Sequence, residues 1–149
     1  MTKLNFITAQ LSDVEEIIGL LQNDILGKSR EHADVNIYKQ GLEAIIDDAN
    51  NYFFLAYLDL KIVGCFQLTF IPSLSRGASK RAQIESVRVK EDFRGQKLGS
   101  EMMNWAKDFA KKNGCNLLQL TTDKFRDDAL RFYEKLGYEA SHNGMKLKI

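Results

Sequence analysis

Arg94-Gly95-Gln96-Lys97-Leu98-Gly99 is the stretch of this chain whose residue types and spacing can do chemistry unaided. Its two glycines let the backbone turn tightly, and an apolar helical run starts at Leu98. Several free amide N–H groups and a helix N-terminus would therefore face one point. Such a point binds an anion, and a phosphate or pyrophosphate suits it best. The same six residues also read as a polar connection between a strand and a helix, so the flanks must decide. The other reactive side chains offer less. Cys65 and Cys115 lie in apolar, strand-like surroundings without C-x-x-C spacing or a neighbouring histidine. That pattern points to buried thiols rather than a metal site, a disulfide framework or an activated nucleophile. His32 has no partner at metal-ligand spacing, and no metal is expected. Arg76, Lys80 and Arg81 can meet an acidic ligand or simply face water.

The elements that must position the loop follow from periodicity. Residues 82–89 form a strand whose apolar positions change phase: Ala82 and Ile84 share one parity, Val87 and Val89 the other. Keeping all four on the core side needs one extra residue near Glu85-Ser86, hence a β-bulge that opens the sheet. A strand buried on both faces would also hide the parity. After the loop, Leu98, Met102, Trp105, Ala106, Phe109 and Ala110 recur at helical spacing, closed by Asn113-Gly114. Upstream, residues 4–8 predict a strand. Ser12 and Glu15 predict a capping box, followed by a helix through Val14, Ile17, Ile18, Leu21 and Ile25 that Gly27 stops. A second helix carries Val35, Tyr38, Leu42, Ile45, Ile46 and Ala49. Residues 52–58 and 62–71 predict an antiparallel pair turning at Asp59-Leu60-Lys61 and ending at Pro72. Residues 115–121 predict a strand and 129–136 a short helix stopped by Gly137. Residues 138–141 and 145–149 flank Asn143-Gly144, a hairpin signal.

Composition narrows the function. A chain of 149 residues with 44% hydrophobic content predicts one globular domain over 1–149. Its 21 basic and 20 acidic residues nearly cancel, which disfavours a nucleic-acid or membrane partner. With no apolar leader core and no span-length apolar window, the chain reads as cytoplasmic.

Two segments in this element order resemble the GNAT superfamily of acetyl-CoA-dependent N-acetyltransferases. One is Ile84-Glu85-Ser86-Val87-Arg88-Val89 with the loop from Arg94 to Gly99; the other runs Ala129-Leu130-Arg131-Phe132-Tyr133-Glu134-Lys135-Leu136-Gly137-Tyr138. The resemblance implies an α+β fold of three-layer α/β/α type. Its mixed, mostly antiparallel sheet would have about seven strands, splayed at a bulge in the fourth and flanked by about four helices. It implies acetyl-CoA as co-substrate and direct attack of a primary amine on the thioester through a tetrahedral intermediate.

The same resemblance implies the site. Arg94, Gly95, Gln96, Lys97, Leu98, Gly99 and Ser100 would hold the pyrophosphate, and Lys97 stands where glycine is usual. The backbone of Val87 and Val89, with Arg88 between them, would pair with the pantetheine amides. Arg126 replaces a usual asparagine near Ala129 and Phe132, which complete the cofactor contacts. Tyr133 would protonate the departing thiolate; alone it reads as a core aromatic. Glu85, at the bulge, is the base candidate, or else a strand glutamate pairing with Arg88 or Lys90. Asp123 and His142 are weaker candidates. Residues 26–38, 73–81 and 141–144 would shape the acceptor pocket, where Glu31, Asp34 and Asp123 can attract a cationic amine. Small-molecule and peptide amines both stay open, as does a homodimer through exposed edge strands. The rival reading is a non-catalytic acyl-CoA-binding or sensing domain.

Overall fold

Five strands form one sheet in the order β1-β2-β3-β4-β5 in the computed structural model, which describes residues 3–23 and 25–149. The strands are β1 (Asn5–Thr8), β2 (Asn51–Leu58), β3 (Lys61–Ile71), β4 (Arg81–Val89) and β5 (Leu117–Gln119). The first four pair antiparallel, and β5 joins β4 in parallel. The helices are α1 (Val14–Gln22), α2 (Ile25–Arg30), α3 (Val35–Asp47), the single turn α4 (Ser75–Ala78), α5 (Leu98–Lys112) and α6 (Asp127–Lys135). Two compact units divide the chain, residues 1–119 and 120–149.

In the first unit, alternation along the strands sorts side chains between two helical layers. Tyr52, Phe54, Phe66 and Phe70 meet Trp105 and Phe109 of α5, with Phe54 edge-on to Trp105 at 4.9 Å and Trp105 stacked on Phe109 at 5.1 Å. Each buried aromatic pair of this kind adds about 0.5–1.5 kcal/mol beyond its area. The other parity, Phe53, Leu55 and Cys65, packs with Val14, Ile17 and Leu20 of α1 and Leu42 of α3. This α/β/α layering is the expected architecture, and α5 has the expected bounds.

The N-terminal helix differs from expectation. Its cap lies one turn earlier, where the Gln10 N–H donates to Asp13 Oδ2 at 2.8 Å and residues 11–13 form a 3-10 turn, so Ser12 and Glu15 do not cap it. The helix also stops at Gln22 rather than Gly27, with Asn23 leaving helical geometry at ψ 36. Gly27 lies inside α2, and the side chain of Ile25 lies outside the described residues. Apolar periodicity alone does not register such a break, because α2 resumes a helical pattern. The second helix starts where the Asp34 carboxylate accepts from the Asn36 N–H at 2.7 Å.

The second unit holds α6, stopped at Gly137 with φ 95. The expected C-terminal hairpin is absent: residues 138–149 form no strand, and Met145 and Leu147 are exposed. The sheet therefore has five strands among the described residues, not about seven. An Asn-Gly turn proposes a hairpin, but two short strands are marginal unless a sheet or helix supports them.

Candidate active site

The phase slip in β4 is a real bulge. Gln67 faces Glu85 and Cys65 faces Arg88, so the single residue Phe66 on β3 stands opposite two residues, Ser86 and Val87, on β4. Ser86 absorbs the extra length by adopting φ 56, unusual for a residue with a Cβ. Ala82 and Ile84 before it are fully buried, Val87 and Val89 after it are half-buried, and Glu85 is exposed.

Two neighbours on β3 make the bulge possible, and neither was evident from the sequence. A Cβ on Gly64 would lie 2.5 Å from the Arg88 carbonyl oxygen and 3.0 Å from Met102 Sδ, so only glycine lets the strands approach this closely. The Cys65 thiol donates to the Ser86 carbonyl at 3.6 Å and so partners the displaced backbone. Burial pushes that thiol up to about 12, with the Arg88 charge opposing, so Cys65 stays protonated and unreactive. Burial raises Cys115 as well. A glycine within an apolar strand, opposite a parity slip, is the signal that would have found Gly64.

Beyond the bulge the sheet opens. Strand β4 pairs with β5 only at Arg81, Ala82 and Gln83. From residue 84 to 89 its outer edge has no neighbouring strand among the described residues, so backbone groups there are available to an extended ligand carrying amides.

The loop after β4 leads into the N-terminus of α5. Gly95 has φ 80, and Lys97, the N-cap, has φ 63 and ψ 17. The left-handed conformation explains why glycine suits position 97, and it costs lysine about 1–2 kcal/mol. The first helical bond runs from the Glu101 N–H to the Lys97 carbonyl at 3.2 Å, and no side chain caps the helix. The amides of Leu98, Gly99 and Ser100 therefore precede the helical ladder, with a positive dipole end and an exposed lysine beside them. Buried Leu98 anchors the turn, while residues 94–97 are exposed.

Arg94 ties the loop to α1. Its Nε donates to the Val89 carbonyl at 3.1 Å and its Nη2 to the Asn23 carbonyl at 2.9 Å, bridging the end of β4 to the end of α1. Lys90 reaches Glu16 of α1 at 2.6 Å and makes a second tie. Lys90 is thus not a partner of Glu85, whose carboxylate has no ion pair among the described residues. Lys80 is also committed, to the Asn113 carbonyl at 2.9 Å and the face of Phe70. Glu31 accepts a hydrogen bond from Tyr38 Oη, which holds the phenol above its ordinary range.

In the second unit, Tyr133 lies on α6 between Phe132 at 5.1 Å and Tyr138 at 5.8 Å, both edge-on. Burial, reinforced by Tyr133, pushes Tyr138 up to about 12. Arg126 is the N-cap of α6 and its side chain makes no capping bond; Ala129 is buried. Asp123 contributes its carbonyl to the Arg126 N–H at 3.0 Å, and His142 Nδ1 lies 2.7 Å from Ser141 Oγ.

Two apolar clefts, about 230 Å³ beside α3 and β2 and about 370 Å³ beside α5 and β5, are lined by none of the candidate residues. The site is an opened sheet edge beside a helix N-terminus rather than an enclosed cavity. Among the described residues, no group of three or more His, Cys, Asp or Glu side chains can hold a metal, and no helix is long and apolar enough to cross a membrane.

The family model for acetyltransferases of the GNAT family matches residues 15–138. The chain belongs to that family. It is thereby an N-acetyltransferase with acetyl-CoA as donor. An aminoalkylphosphonate N-acetyltransferase of Salmonella typhimurium is 32% identical over 126 residues, 85% of this chain and 76% of that protein. A glucosamine 6-phosphate N-acetyltransferase of Trypanosoma brucei is 32% identical over 89 residues, 60% of this chain and 58% of that one. A solved structure from Bacillus halodurans, described as a transcriptional regulator, superposes with a TM-score of 0.92 at 42% identity, covering 99% of this chain and 100% of its own. The fold also matches an aminoglycoside N-acetyltransferase solved with CoA, at a TM-score of 0.81 and 14% identity over 100% of this chain and 96% of that one.

Proposed function

We propose that this enzyme acetylates the primary amine of a small molecule by direct attack on acetyl-CoA, with no acyl-enzyme. The observation that carries the reading is the bulge at Ser86, which frees the edge of β4 immediately before a helix N-terminus whose first amides are uncapped. In this reading the amides of residues 95–100 and the Lys97 ammonium hold the pyrophosphate, while Arg94 fixes the loop against α1. The backbone of Val87 and Val89 takes the pantetheine amides, with Arg88, Arg126, Ala129 and Phe132 as flanking contacts. The donor supplies an activated acyl carbon. The chain's own residues then manage protons: Glu85 takes one from the attacking ammonium, directly or through water, and Tyr133 returns one to the departing thiolate through a tetrahedral intermediate.

Several facts support these roles. Glu85 sits at the bulge, exposed and without an ion-pair partner among the described residues, as a base must. Burial keeps both cysteines protonated, which removes the obvious covalent nucleophiles. The family match runs through residues of both units and so supports one catalytic domain over 1–149. The relatives named for aminoalkylphosphonates and glucosamine 6-phosphate favour a small amine over a peptide.

Thiol release from acetyl-CoA over a panel of amines tests the reading. Glu85→Gln should lower kcat roughly 10²–10⁴-fold near neutral pH. Tyr133→Phe should lower kcat with acetyl-CoA affinity retained. Tight acetyl-CoA binding by calorimetry without thiol release on any amine would establish a sensing domain instead.

A further inference from the structure

The sheet face beneath α1 and α3 is apolar over only part of its width. Beyond Phe53, Leu55 and Cys65, the cross-strand register places Asn51, Thr69, Gln83 and Gln119 in one row. Gln67 and Glu85 form the adjacent row toward the bulge, and Arg81 lies one row away on the opposite side, facing Ile71. Arg81, Gln83 and Glu85 are alternate residues of β4 and share this face. All of these side chains except Glu85 are half-buried, and Glu85 is exposed.

The amides are fixed but not used up. Gln67 Nε2 and Thr69 Oγ1 both donate to Asn51 Oδ1 at 3.0 Å, and Gln119 Nε2 donates to Gln83 Oε1 at 2.8 Å. Gln67 Oε1 and Gln83 Nε2 take no partner among the described residues, so the row offers an acceptor and a donor held in set orientations. Arg81 makes no ion pair or hydrogen bond through its guanidinium among the described residues. Its stem is partly covered while no protein group engages its guanidinium, so the fork is available for a bidentate bond to an anion on this face. Arg76 adds a second cation, on the left-handed turn of the loop that joins β3 to β4 beside the Ile71–Arg81 pair.

We propose that this row reads the acceptor, and that the acceptor is a phosphorylated amino sugar. Its ammonium faces Glu85, its hydroxyls meet Gln83, Gln67 and Thr69, and its phosphoryl group pairs with Arg81. The assignment rests on the acetyl-transfer reading above. The Cα atoms of Arg81 and Glu85 are four residues apart along a strand, ~13 Å, and their side chains can lean together to bracket one sugar ring. An aminophosphonate with both charged groups on one carbon is too short to reach both. An aliphatic chain would leave the amides of the row desolvated and unmatched.

The test uses thiol release with glucosamine 6-phosphate, glucosamine and aminomethylphosphonate on the parent, Arg81→Met and Arg81→Lys, with calorimetric titration of glucosamine 6-phosphate into each CoA-loaded protein. The parent should prefer glucosamine 6-phosphate to glucosamine. Arg81→Met should shrink that preference roughly 10–100-fold through KM, and Arg81→Lys should restore part of it. An unchanged preference in Arg81→Met, or a parent that favours glucosamine or aminomethylphosphonate, overturns the assignment. Should no amine release thiol, acetyl transfer itself fails and calorimetry decides: binding that Arg81→Met weakens sustains the anion site, and absent or unchanged binding overturns it.

Discussion

The two halves of β4 are built on opposite plans. Residues 81–83 are paired on both edges, to β3 and β5, and Ala82 and Ile84 lie in a closed aromatic layer. Past the bulge only Arg88 and Val89 are paired, on one edge and at a displaced register. What the first half gains from neighbouring strands, the second replaces with unusual local supports: Gly64, the Cys65 thiol, and the Lys90 and Arg94 ties to α1. A strand can be opened for a ligand when side chains and one glycine hold the backbone that a neighbour would otherwise hold.

The support that matters most is the close approach at Gly64. Gly64→Ala places a methyl group against backbone at 2.5 Å, so the strands must separate or the bulge must shift. A loss of about 1–3 kcal/mol in chemical denaturation is expected, with a clear drop in acetyl-CoA affinity by calorimetry. Gly19→Ala, in open space on α1, should instead be neutral or stabilising by up to about 1 kcal/mol. Equal effects of the two would show that the open half needs no special approach.

Lys97 sharpens the contrast on the loop side. Lys97→Gly removes the left-handed penalty and should stabilise the protein by roughly 1 kcal/mol in the same denaturation experiment, whereas Lys97→Ala should not. If both variants lose acetyl-CoA affinity, the ammonium contributes to the anion site; if only Lys97→Ala does, the side chain merely tolerates its conformation.

The smallest effect concerns pH. The folded state holds the Cys65 proton up to about 12, against an ordinary 9, so it binds that proton more tightly than the unfolded chain does. That stabilisation is complete below pH 9 and is lost as pH rises toward 12. Tyr138, pushed in the same direction, adds to the alkaline loss. Cys65→Ala should flatten part of the decline in melting temperature across that range; an unchanged slope would show that the bulge does not bury the thiol.

What was legible in the sequence follows from the same division. The parity slip pointed to a bulge near Glu85-Ser86, and the extra residue lies at Ser86–Val87 opposite Phe66, because an uninterrupted period-two pattern cannot place Ala82, Ile84, Val87 and Val89 on one face. The 3.6-residue rhythm from Leu98 to Ala110 fixed α5 for a similar reason. Supports that act across space left no such rhythm. The Arg94 bridge to Asn23, 71 residues away, has no local trace in the sequence. The break at Asn23 was hidden by apolar spacing that resumes after it, and the polar row on the sheet emerged only from cross-strand register. The C-terminal Asn-Gly signal was local, and a local signal cannot report whether a strand has a sheet to join.

One consequence of the Cys65 burial reaches beyond stability. An acetyl-CoA-dependent acetyltransferase liberates free CoA at each turnover, and Cys65 lies directly across from Arg88 of β4. Because the thiol is held as SH behind the backbone, it cannot exchange into a mixed disulfide with oxidised CoA. Cys65 should therefore stay free in the presence of oxidised CoA, and peptide mass spectrometry after incubation of the folded protein with CoA disulfide should find no CoA adduct on it.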